Sequence, residues 1–371
     1  MRIQASVAFA EPQDARSPLA TSPPSSSSLT VEIVDPRRES NWDRLVLSHP
    51  EATFFHSAAW AKVLCKTYRH EPLYLHFSEA DSPLAVVPLM EVRSLFTGRR
   101  GVCLPFSDLC APLVFRENRW QPVMKKLSQL RRERHWKYCE LRGGSSLPVS
   151  AAAITFYGHK LDLRVGTQEL FALCASSVRR AIRKAKKHEL RADVSMSLEA
   201  VREFYRLHVV TRRRHGLPPQ PLSFFLHIHD EVIKRKLGFV VLARQGARAV
   251  AGAVFFHFGK KALYKFGASE QEAQEFRGNN LVVWEGIRFL TEQGFETLHF
   301  GRTSLDQEGL RRFKLSWGAD EETIRYSRFP TLNTPSMPAR NGAPALHTKI
   351  FRKMPLALNR LAGMMIYPHL D

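Results

Sequence analysis

Acidic residues are scarce in this 371-residue chain. Only 35 Asp and Glu stand against 55 Lys and Arg, so the formal charge is +20 and the isoelectric point about 10.1. Such an excess favours polyanionic partners: phosphorylated cofactors, RNA or anionic lipid. Cysteine is also sparse. Cys65, Cys103, Cys110, Cys139 and Cys174 are odd in number, widely spread and never at C-x-x-C spacing. That excludes a disulfide frame and a cysteine zinc site, and predicts reduced thiols in a cytosolic compartment. No apolar run is long enough to span a bilayer, and the first residues lack the apolar core of a secretory signal. G-x-S-x-G and the Walker lysine are missing, which removes serine-hydrolase and P-loop readings. The H-x-H at 227–229 has no further ligands at zinc-like spacing, so no metal is expected.

What is present suits a soluble protein of two domains: 44% hydrophobic and 24% charged residues over a length comfortable for two cores. Residues 1–28, which run into SPPSSSS, read as a disordered tail. A first domain is expected over 29–164. Ser57 caps a helix carrying Trp60, Val63 and Leu64. LYLHF and LAVVPLMEV flank a polar turn as a hairpin, and a helix at 119–134 leads to a strand at 138–144. The second domain, 165–329, repeats that rhythm. A helix at 198–212 precedes strands at 238–244, 249–259 and 262–269, then a helix at 279–294 and a strand at 295–301. Each half thus ends in a meander, helix and returning strand. The second opens with a basic helix at 176–191, whose Arg179, Arg183 and Lys187 recur at i, i+4, i+8 over the thin apolar stripe Val178, Ile182, Ala185. Its cations are either a solvated face or a surface for phosphate, RNA or lipid. Residues 330–371 read as a proline-rich linker and a C-terminal amphipathic segment, which either lies on anionic lipid or packs on the protein itself.

The stretches LYKFGAS, RGNNLVVWEGI and HFGRTSLDQEGLRRFKLSWGA, with VRRAIRKAKK and RRRHGLPPQP, resemble the FemAB-like branch of the GNAT acyltransferase superfamily. Within it they look like the acetyltransferase-like proteins found near exopolysaccharide and protein-sorting loci. The resemblance covers about residues 50–330. It implies an α/β (α+β) fold of two tandem GNAT-like domains with central, mostly antiparallel mixed sheets. It implies transfer of an acyl or aminoacyl group to an amine, from acyl-CoA or aminoacyl-tRNA, onto an amine-bearing envelope precursor or saccharide. His299 departs from the acidic residue expected before FGR.

Acyl transfer to an amine needs a stabilised oxyanion, a route for the amine's proton and a grip on the donor's phosphates, and no metal. By the resemblance, Lys314 of the FK-x-x-WG motif is the oxyanion donor, with Phe313 and Trp317 keeping its ammonium dry. Tyr264 is a candidate acid toward the leaving group. Arg277, Gly278, Asn279 and Asn280 open a helix and are candidates for the donor's phosphates, with an Asn as cap. Arg302 and Ser304 follow a strand end, where α/β sheets expose functional groups. Trp284, Arg214, His215 and Asp108 are candidates for lining or reading the acceptor site. The first half lacks an FK-x-x-WG counterpart and reads as a scaffold. A catalytically silent module that binds envelope lipid or polysaccharide is the reading from another class. Nothing in the residues sets the oligomeric state.

Overall fold

The computed structural model describes residues 29–80, 82–116, 120–143, 153–329 and 345–371. The tail expected at 1–28 and most of the linker lie outside them. The architecture is mixed α/β, with a small four-stranded sheet and one long mixed sheet of twelve strands.

Local chemistry sets the elements where expected. Ser57 accepts from the Trp60 amide at 3.3 Å and starts the helix Ala58–Tyr68, which buries Trp60, Val63 and Leu64. The helix Gly278–Glu292 buries Leu281, Val282, Ile287 and Leu290 and ends at Gly294, whose φ is 72°. It approaches the sheet closely: a Cβ at Gly286 would sit 2.3 Å from the Phe255 ring. The basic helix is shorter than expected, Ser176–Lys187. Glu189 takes a left-handed φ of 57°, and the chain turns into the strand Arg191–Ser195.

The second half supplies four antiparallel strands, Arg191–Ser195, Gly238–Gln245, Arg248–Phe258 and Lys261–Ser269. The helix Gly278–Glu292 then crosses over to Thr297–His299, which pairs in parallel with Lys261–Leu263. In the first half, Gly98–Val102 pairs in parallel with Cys139–Arg142, and the helix Trp120–Glu133 lies between them in sequence. The two crossovers meet through exchanged strands. Ala153–Asp162 lies beside Thr297–His299, and Asp320–Phe329 lies between Ala153–Asp162 and Cys139–Arg142. A boundary at residue 164 therefore falls just after a strand whose neighbours belong to the second half.

One apolar core joins the halves, with Trp60, Phe224 and Phe256 at its centre. A second lies under the helices Ser176–Lys187 and Gly278–Glu292. Among the described residues no helix is long and apolar enough to cross a membrane. All five cysteines are buried free thiols.

Candidate active site

The strand Lys261–Ser269 carries one residue too many. Val254 pairs with Phe266 and Phe255 with Tyr264, so Lys265 is an unpaired bulge residue. A bulge re-aims its side chain. Here it sends the Lys265 ammonium to Asp108 Oδ2 at 2.7 Å and to the Phe106 carbonyl at 2.7 Å. Asp108 comes from the loop after Gly98–Val102, so this pair bridges the halves. The loop is held in place by Tyr326, whose hydroxyl donates to the Ser107 and Asp108 carbonyls at 3.2 and 2.8 Å.

Two more cations converge on Asp108. The Arg302 guanidinium lies over the Phe156 and Tyr326 rings, 4.6 and 5.0 Å from their centroids. Lys314 is buried on the helix Glu308–Leu315, and its ammonium donates to the Gly301 and Arg302 carbonyls at 2.8 and 3.0 Å. Burial alone would raise the Asp108 carboxyl; Lys265, Arg302 and Lys314 together hold it below its ordinary value. Burial lowers Lys265, against the pull of Asp108. It lowers Lys314 to about 8, with Asp108 opposing and Lys265 assisting. Three cations thus share one carboxylate, and an ammonium with two N–H groups committed keeps a third to donate. The cluster has an unmatched capacity for negative charge.

A cavity of about 520 Å³ opens between the halves, walled by Phe54, Phe55, Asp108, Lys261, His299 and Glu322. Asp108 belongs to both the cavity and the cluster. His299 Nδ1 accepts the Gly301 amide at 2.9 Å, which leaves Nε2 to donate to Glu322 at 3.0 Å. Both ring nitrogens are occupied, so His299 positions the Gly301 turn.

The structure brings Asp108, Arg302 and Lys314 together and places several other expected residues in the core or in other bonds. Phe313 and Trp317 do not enclose Lys314. They meet edge-on, 6.0 Å apart, and Trp317 is fully buried in the second core; backbone carbonyls and burial shield the ammonium instead. Trp284 is core as well, against Phe171 at 5.0 Å. Asn279 and Asn280 do not cap. The helix begins at Gly278 after Arg277, which is left-handed at φ 61°, and it has no side-chain cap; Asn279 donates to Ser269 Oγ at 3.1 Å. Arg214 donates to the Ser269 carbonyl at 3.2 Å, and His215 is exposed at the helix end behind it. Ser304 pairs with Phe156 in a short strand beside the cluster. The Tyr264 hydroxyl lies over Gly267, 1.9 Å from where a Cβ would be, and burial pushes it up to about 12. Lys265 and Tyr326 were missed. The signal for Lys265 was a single cation in the otherwise uncharged strand ALYKFGAS.

The basic helix buries Val178, Ile182 and Ala185 and exposes Arg180, Arg183, Lys184, Lys186 and Lys187. It packs along the helix Gly278–Glu292, and the following His188 meets Phe276 just before that helix opens. Its cations therefore flank an uncapped helix N-terminus, a combination suited to phosphate. Among the described residues no His, Cys, Asp and Glu gather as a metal site.

Residues 174–321 match the GNAT acetyltransferase domain family. Lipid II:glycine glycyltransferase of Staphylococcus aureus is 30% identical over 95 residues, 24% of this chain and 23% of that protein. The Staphylococcus haemolyticus enzyme of the same name is 32% identical over 75 residues, 19% and 18% of the two chains. The chain thus spans about a fifth of the length of these relatives. Among solved structures, FemX superposes with a TM-score of 0.62 at 14% identity, covering 80% of this chain and 96% of FemX. L-PGS from Bacillus licheniformis gives 0.53 at 10% identity, covering 90% and 99%. These likenesses show the fold. Residues 174–321 thus match a GNAT acetyltransferase domain, and the partial glycyltransferase matches and the FemX-like fold are similar to the FemAB-like branch of that superfamily.

Proposed function

We propose that the protein is an N-acyltransferase that moves an aminoacyl or acyl group onto an amine of a cell-envelope precursor. The observation that carries this reading is the buried cluster in which Lys265, Arg302 and Lys314 share Asp108. When an amine attacks the donor's carbonyl, the oxygen gains negative charge. The third N–H of Lys314 is the donor for that oxygen. A water-poor site strengthens its field, and removal of one such donor typically costs about 2.7–4 kcal/mol of barrier. Asp108 faces the cavity, and its carboxylate orients the acceptor's ammonium, which attacks as the free amine once its proton has passed to water. Collapse of the intermediate breaks the donor's C–O or C–S bond; Tyr264 gives its proton to the departing oxygen or sulfur and takes one back from the new amide nitrogen.

An aminoacyl-tRNA donor is favoured by the exposed cations of Ser176–Lys187 beside the helix opening at Gly278, and by relatives named as glycyltransferases. Acyl-CoA is the second reading, supported by the acetyltransferase domain at 174–321 and by the same uncapped helix, which suits a pyrophosphate. The acceptor is proposed as a lipid-linked envelope precursor, and a saccharide amine is the alternative. The protein is proposed to work at the inner face of the membrane.

The test pairs purified protein with a mixture of charged tRNAs or with acetyl-CoA. Transfer of radiolabel to a lipid II preparation, dependent on tRNA and abolished by ribonuclease, is the expected result. Transfer from acetyl-CoA alone selects the second donor. No transfer from either, with no thermal shift on adding either, overturns the assignment.

A further inference from the structure

The helix Leu356–Ile366 is packed inside out. The residues it turns inward are Asn359 and Gly363, both buried. Gly363 is so close to the chain that a Cβ there would lie 2.0 Å from the Pro219 carbonyl. The opposite face carries the large side chains: Leu358, Leu361, Met364 and Met365 are 54, 51, 57 and 66% exposed. A soluble helix normally does the reverse. Beside it projects the turn between the strands Met90–Ser94 and Gly98–Val102, with Leu95 95% and Phe96 81% exposed.

These two features are tied together. The Phe96 ring meets His369 edge-on at 5.1 Å. Arg100, on the same hairpin, donates to the His369 carbonyl at 2.8 Å and to the Asp371 carboxylate at 3.2 Å. The ion pairs of half-buried Asp371 with Arg100 and Arg142 fix the segment against the hairpin.

Charge tells what covers this face. No Asp or Glu occurs from Thr348 to Leu370, and Lys349, Arg352 and Lys353 are exposed there. Arg99 and Lys137 are exposed at the foot of the hairpin turn, where Lys137 packs over Gly98. The sole acid of the segment, Asp371, is already paired inward. Exposed apolar side chains with exposed cations in the same two segments, and no acid from 348 to 370, match the interface of an anionic bilayer, where the side chains enter the acyl boundary and the cations meet headgroup phosphates. A copy of this basic chain would bring like charge to the same rim.

We infer that Leu95 and Phe96 together with the outward face of Leu356–Ile366 form a docking surface for an anionic lipid bilayer. The surface does not depend on which group the protein transfers. It gives a physical basis for work on a lipid-linked acceptor, and it stands or falls separately from that reading.

The test is co-sedimentation of the full chain with vesicles of phosphatidylcholine alone or with phosphatidylglycerol added. Binding to the phosphatidylglycerol vesicles is expected, with little to phosphatidylcholine alone. Leu95→Glu with Phe96→Glu, and separately Met364→Glu with Met365→Glu, each lower that binding by about tenfold or more, because charge replaces the inserted groups. Neutralising Lys349, Arg352 or Lys353 as Gln lowers it by about fivefold per cation. Leu95→Glu alone, at a side chain 95% exposed, keeps the wild-type melting temperature, so its loss of binding reports the surface. Failure of the wild type to bind phosphatidylglycerol vesicles overturns the inference, as does wild-type binding by both double variants. It is equally overturned if sedimentation shows a dimer that these variants dissociate while vesicle binding is absent.

Discussion

The two halves share a crossover and use it differently. In the first, Gly98–Val102 and Cys139–Arg142 run parallel and the space beside them is filled. The Trp136 ring lies so close to Gly101 that a Cβ would be 2.2 Å away. The charges around Glu140, with Arg328 and Asp371 brought in from later in the chain, are nearly balanced. Glu140 accepts from Arg142 at 2.8 Å and from Arg328 at 2.6 Å, and Asp371 pairs with Arg100. Two carboxylates serve three arginines there. In the second half the parallel pairing stops at Leu263, Lys265 bulges, and a single carboxylate, Asp108 from the first half, serves Lys265, Arg302 and Lys314. A balanced buried network specifies packing; an unbalanced one holds cation strength in reserve for a charge that arrives later. The contrast supports the proposal that the first half is chiefly scaffold, lending Asp108, and that the cations of the reaction gather on the second.

Glu140→Gln should have the largest effect, and on stability. It leaves Arg142 and Arg328 without their shared carboxylate at a cost of about 3–5 kcal/mol, read as a fall in denaturant midpoint. Turnover per folded molecule should change far less than stability. A parallel collapse of both would erase the contrast between the halves.

Lys314→Met should do the opposite, folding normally and losing about 2.7–4 kcal/mol of transition-state stabilisation, measured as single-turnover rate. The same residue makes stability depend on pH. Its folded value of about 8 lies below the ordinary 10.5, so the unfolded chain binds more protons between those values. Stability therefore rises as pH climbs from 8 to 10.5, by on the order of 3 kcal/mol, and falls back below. Denaturation across that range should show a rise in the wild type that is missing in Lys314→Met.

Tyr264→Phe is expected to slow the chemical step by about a hundredfold, toward the low end for a lost proton donor. Pre-steady-state rates with a poor and a good leaving group sharpen this: the loss should shrink as the leaving group improves. An equal loss with both would assign Tyr264 to packing.

Much of the fold was legible because it follows from local pattern. The cap at Ser57, the stripe Val178, Ile182, Ala185 and the strands around Gly246 and Gly259 all carry short-range signals. The exchange of Ala153–Asp162 and Asp320–Phe329 was not, because which neighbour a strand chooses leaves no mark on its own residues. The alternation of buried Ile324 and Tyr326 with exposed Thr323 and Arg325 could have marked the latter strand. At the site, Lys314, Arg302 and Asp108 were named from sequence, but their meeting required Asp108 to cross from the other half. Lys265 was overlooked since a register shift cannot be seen in one strand. Phe313 and Trp317 looked like a sheath for Lys314 because they neighbour it in sequence. On the helix Glu308–Leu315 and the turn after it, adjacent positions point to different faces, and the rings turn to the core.

The central claim is that Lys314 acts as a buried cation of lowered pKa. The pH dependence of the single-turnover transfer rate tests it most directly, for the wild type and for Lys314→Arg. The account predicts a wild-type rate that falls above pH of about 8 as the ammonium loses its proton, and a falling limb that moves far to the alkaline side in the Arg variant. An alkaline limb at the same pH in both proteins would contradict it.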